Sequence, residues 1–227
     1  MPSERYRQLE ERLEELRNHL LPTPFDPTGS YEDEDKVATS VLAYRVLAHA
    51  EIEAYFEDRA LETAQEARKA WLARQHLSRV ALCLMAFSGK EMTSPPDTLQ
   101  APSENKRKSW PSLVDIGERL MPIVASYYKL VKEDNHGIRE RNLLSLLLPI
   151  GIEHTALDPT FLANMDSFGQ LRGAAAHTSS RRAVRSAADP ADEFGRVASL
   201  AEGIKAIDEC FDALLAGLAN PNAQPNQ

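Results

Sequence analysis

Cysteine occurs only twice in the 227 residues, at Cys83 and Cys210. Each lies inside an apolar helical pattern, so buried free thiols are expected rather than a disulfide framework. Aromatic residues make up 7% of the chain, while Ala and Leu are abundant. That balance favours helix formers over strand formers. Long hydrophobic runs are missing too. The longest apolar stretch, LLSLLLPIGI, is broken by Pro149 and falls short of the roughly 20 residues a spanning helix needs. The N-terminal MPSERYRQLEERLEEL is charged throughout and lacks the apolar core of a signal peptide. A soluble cytoplasmic protein with no membrane partner is expected.

The motifs of metal and cofactor chemistry are equally scarce. CxxC, HExxH, the G-x-S-x-G elbow and the P-loop are all absent. One ExxH spacing joins Glu133 to His136, but it sits in KEDNHGIRE, which reads as a polar turn. A di-iron bundle needs two such motifs and two further inward carboxylates. No metal and no cofactor is expected. The formal net charge of −8 excludes a general nucleic-acid coat, which needs a broad positive face, but leaves room for a local basic patch.

What the sequence does contain is helix. At 43% hydrophobic, the chain can build one core and is short for two domains. Tyr6, Leu9, Leu13, Leu16 and Leu20 recur at helical steps and predict a helix over 3–20. LPTPFDPTGS breaks it. A long helical stretch follows over about 36–88, either continuous or two helices with a bend near Ala60 to Ala70. Residues 89–112 are polar and proline-rich and read as a long loop, in which Lys106, Arg107 and Lys108 read as a solvated run. Helical patterning returns at 112–132 and again in ERNLLSLLLPIGI. Asp158–Pro159 and Asp189–Pro190 each pair an N-cap with a proline at the first helical position, and each opens a helix. No strand alternation is convincing. The expectation is an all-α bundle forming one domain over 1–219, with a disordered tail over 220–227.

Two stretches carry chemistry. In AYRVLAHAEIEAYFED, the residues Val46, His49, Glu53 and Phe56 share one helical face with the preceding Leu42. His49 and Glu53 then form a neighbouring pair at the edge of an apolar stripe, or contribute polar groups to a site between helices. In LRGAAAHTSSRR, Arg172 and His177 bracket four of the smallest residues. In a regular helix they lie about 140° apart around the axis, with a rise of about 7.5 Å. Either Gly173 loosens the helix so that they converge, or each faces a different side of a cleft completed by another protomer. Four arginines and no acid fall between residues 172 and 185. Arginine forks and hydroxyls hold phosphate oxygens, so Thr178, Arg181 and Arg182 are candidate phosphate contacts beside a proton-transferring histidine.

At these residues the sequence resembles the HEPN superfamily, whose signature is an arginine, four to six residues and a histidine in an all-α bundle. LRGAAAHTSS together with AYRVLAHAEIEAYFED resembles the RiboL-PSP branch, over about residues 4–218. The resemblance implies a metal-independent endoribonuclease that acts on RNA as a homodimer, with two Arg–His motifs facing one cleft. It implies His177 as general base or acid at the ribose 2′-hydroxyl, Arg172 on the scissile phosphate, and a 2′,3′-cyclic phosphate product. Relatives in toxin–antitoxin and antiviral systems imply an antitoxin or defence-system protein as a further partner. Many members carry a polar residue directly after the arginine, where this chain has Gly173. Glu51 or Glu53 is a candidate for the missing group. The alternative is a non-catalytic RNA- or protein-binding module of the same fold.

Overall fold

A computed structural model describes residues 1–89, 115–177 and 189–219, with the backbone alone at 175–177. Among the described residues there are seven α-helices and no strand. Helix α1 spans Glu4–Leu20, α2 Glu34–Arg74, α3 Arg79–Phe87, α4 Ile116–Lys129, α5 Glu140–Leu147, α6 Pro159–His177 and α7 Pro190–Ala219. A five-residue π-helical turn, Leu130–Asp134, extends α4. The loop expected over 89–112 and the tail 220–227 lie outside the described residues, except Gly89.

Helix α2 is the spine. Its 41 residues give a rod of about 60 Å, and every other helix packs against it. It therefore buries side chains around much of its circumference, among them Val41, Tyr44, Ile52, Phe56, Ala60 and Ala64. The alternative bend near Ala60 to Ala70 does not occur. No Gly or Pro lies between Glu34 and Arg74, and Ala60, Ala64 and Ala67 are fully buried under neighbouring helices, so nothing interrupts the hydrogen-bond ladder. The chain breaks later, at Gln75, which adopts a left-handed conformation (φ 55°) and caps α2 by donating to the Trp71 carbonyl. Ser78 then caps α3, its hydroxyl accepting from the Ala81 amide at 3.2 Å.

The sequence-read starts hold for three helices. Ser3 Oγ accepts from the Tyr6 amide at 3.0 Å. Asp158 Oδ1 accepts from the Thr160 amide at 2.9 Å, and Asp189 Oδ1 from the Ala191 amide at 2.8 Å. These caps satisfy amide groups that have no partner inside the helix. Two buried polar clusters lock the outer helices to α2. Asp208 of α7, wholly buried, accepts from the Ser3 amide, the Ser3 hydroxyl and the Tyr55 hydroxyl, and lies 3.2 Å from Arg59 Nε. Arg45 of α2 grips Glu193 of α7 through two hydrogen bonds of 2.8 and 2.6 Å. Between these clusters one apolar core runs through Phe56, Leu146, Met165, Phe168 and Phe211. Cys83 and Cys210 are free and only partly buried, which corrects the expectation of fully buried thiols. No described helix is long and apolar enough to cross a membrane.

Candidate functional site

Helix α6 carries the Arg–His spacing. Phe161, Met165 and Phe168 are its buried line against the core, and Arg172 continues that line one turn beyond Phe168. Arg172 is nevertheless exposed, because the packed core ends at Phe168. The helix runs unbroken through Gly173 to His177. A side-chain carbon added at Gly173 would meet nothing within 4 Å. Of the two arrangements open to the pair, the loosened helix is thus not the one the backbone adopts. Nine residues after Phe168, the His177 Cα falls about 180° from the buried line, and about 140° from Arg172. The side chain of His177, and all of Thr178, Arg181 and Arg182, lie outside the described residues.

On the α2 side, His49 and Glu53 do lie beside α6. The His49 ring packs on Phe168, with centroids 6.1 Å apart and planes tilted by 31°. His49 is 2% exposed, so it is a core residue rather than the edge residue expected. Its Nδ1 stands 3.6 Å from Glu53 Oε2, too far for a hydrogen bond, and has no other partner among the described residues. Burial, helped by the positive charge of Arg172, pushes its pKa down to about 4. The imidazole is therefore neutral at pH 7 and the pair is not an ion pair. Burial raises the Glu53 carboxyl, while the Gly137 amide, Arg172 and His136 each favour its charged form. Glu53 thus sits one turn beyond His49 on α2 as Arg172 sits one turn beyond Phe168 on α6. The charge of Arg172 acts on this carboxylate without an ion pair between them.

Glu51 is not part of this arrangement. It points to α1, where it accepts from Arg12 Nε at 2.9 Å. Two residues from Glu53, it is turned about 200° away on the helix.

The third element is one that sequence reasoning treated as an ordinary polar turn. After the π-helical turn, Asn135 donates through its amide to Glu57 Oε1 and to the Gly137 carbonyl, each at 3.3 Å. Asn142 donates to Asn135 Oδ1 at 3.0 Å, and Lys132 to Glu57 Oε2 at 3.1 Å. The Gly137 amide donates to Glu53 Oε1. Gly137 has φ +122°, a conformation that side chains rarely adopt. The ExxH of this turn gathers no metal set, since no group of three or more His, Cys, Asp or Glu is placed to hold an ion among the described residues. The one available signal was the spacing of His49, Glu53 and Glu57 at successive turns of α2.

A family model described as RiboL-PSP-HEPN matches residues 7–213. The chain belongs to the RiboL-PSP-HEPN family. The match takes in all of α2 and α6, hence His49, Glu53, Arg172 and His177 within one HEPN fold. Membership is consistent with a module that binds or cleaves RNA. No curated protein and no solved structure matches this HEPN chain.

Proposed function

We propose that this HEPN protein is a metal-independent endoribonuclease whose cleft is completed by a second copy of the chain. The observation that carries this is the straight path of α6: Arg172 and His177 leave the same helix about 140° apart. Within one chain the two positions share no helix face. Two chains packed near the open Gly173 can supply an arginine from one and a histidine from the other.

In that cleft, a His177 imidazole removes the proton from the ribose 2′-hydroxyl. The oxygen attacks phosphorus, the bond to the 5′-oxygen breaks, and the leaving oxygen takes a proton from a water molecule, whose hydroxide the imidazolium then neutralises. The products are a 2′,3′-cyclic phosphate and a 5′-hydroxyl. Arg172 binds the non-bridging oxygens as their charge grows, and the charge of Glu53 acts on the guanidinium from α2. Thr178, Arg181 and Arg182 hold flanking phosphates. DNA lacks the nucleophile and is spared.

The test is cleavage of a structured RNA in EDTA by the wild type, Arg172→Ala and His177→Ala. Both variants should lose activity, and an equimolar mixture of the two inactive variants should regain part of it through mixed dimers. Cleavage by both variants at the wild-type rate overturns the site. A strict monomer at micromolar concentration overturns the shared cleft. Gly173, standing where relatives carry a polar group, favours a second reading as a non-catalytic RNA- or protein-binding module; RNA binding without cleavage is its signature. A role as a toxin or antiviral effector predicts growth arrest on expression that His177→Ala relieves.

A further inference from the structure

The turn 135–138 is built at considerable cost in order. It follows a π-helical turn, a feature that often marks functional positions. It buries Asn135, uses the unusual φ of Gly137, and is tied to α2 through Glu57 and Glu53. Beneath it lie two buried polar atoms without a partner among the described residues, His49 Nδ1 and Asn142 Oδ1. The side chain this turn presents to solvent is His136. The very next amide, that of Gly137, donates to the Glu53 carboxylate, whose charged form both His136 and Arg172 favour. A polar turn with only a solvation role needs none of these ties.

We propose that His136 is an RNA-contacting residue of the Arg172 site. Its imidazole donates a hydrogen bond to a non-bridging oxygen of the phosphodiester that Arg172 holds. Glu53 sits between the two, anchoring the turn through Gly137 and neutralising the guanidinium between turnovers. The group absent at Gly173 is thereby supplied from another element of the same chain. This rests on the ribonuclease reading for its substrate, but it makes a separate claim about binding.

The probe is an RNA carrying a single 2′-deoxynucleotide at the cleavage position, which binds but cannot be cut. His136→Ala should weaken its binding about ten- to a hundredfold, the loss of one hydrogen bond to a charged group. On cleavable RNA, KM should rise by a similar factor with kcat within about twofold. His136→Asn, which keeps a donor, should recover most of the affinity, and His154→Ala, exposed elsewhere in the fold, should change nothing. Wild-type binding by His136→Ala, with Arg172→Ala impaired, overturns this contact and leaves the ribonuclease reading standing. Weakened binding in a protein that never cleaves supports the contact and overturns the catalytic reading. A melting temperature lowered by several degrees in His136→Ala would mean that the residue acts through folding, and would refute the contact.

Discussion

Arg45→Met should be among the most damaging single substitutions outside the apolar core. Arg45 is 5% exposed and Glu193 wholly buried, and the two are joined by parallel hydrogen bonds of 2.8 and 2.6 Å. Removing the arginine leaves a buried carboxylate whose nearest remaining cation is Arg196, with Nε 3.7 Å away and 38% exposed. Breaking a buried pair from one side costs about 3–5 kcal/mol. At about 2–4 °C per kcal/mol for a chain of this size, the melting temperature should fall by about 6–20 °C. The double variant Arg45→Met with Glu193→Leu removes both charges and should recover most of the loss, because well-packed apolar residues replace such pairs at little cost. Urea unfolding followed by far-ultraviolet circular dichroism measures all three proteins. A loss below about 1 kcal/mol in Arg45→Met, or a double variant no more stable than the single, would refute the claim that this pair clamps α7 to α2.

His49 makes stability depend on pH. Its pKa of about 4 in the folded chain lies below the roughly 6.5 of an unfolded histidine, so the unfolded chain binds a proton first as pH falls. Its contribution is full above about pH 6.5 and is lost on the way down to about pH 4. A His49→Phe variant should show a flatter stability profile across that window, and an unchanged slope would contradict neutral burial. Gly203 of α7 marks the other close approach. A methyl group there would overlap the Phe161 ring of α6, so Gly203→Ala should destabilise by about 1–3 kcal/mol. Adding Phe161→Leu should return part of that loss in the same urea assay, and a neutral Gly203→Ala would show that the two helices can part without penalty.

Local signals made much of the fold legible. Asp158 and Asp189 announce their helices because a cap is a contact between near neighbours in sequence. The apolar stripe of α1 announces its buried face for the same reason. The bend left open in α2 shows the limit of such signals. A stretch rich in alanine and charge reads as a weak point, yet Ala60, Ala64 and Ala67 are small because other helices press close there. The turn 130–138 was illegible for a related reason: Asn135 and Gly137 find partners at Glu57 and Glu53, 78 and 84 residues away in sequence.

The sequence by itself determined an all-α chain, the starts of its helices, and an Arg–His spacing that shares no face of one regular helix. Each follows from interactions over a few residues, where helical geometry relates position to direction. Only the tertiary structure decided that α6 stays straight through Gly173, that His49 is a neutral core residue, and that Glu53 takes the Gly137 amide while Glu51 takes Arg12 of α1. It also brought the turn bearing His136 to the Glu53 carboxylate. Those facts depend on which helices lie side by side, and hence on burial and long-range charge, which no local spacing encodes.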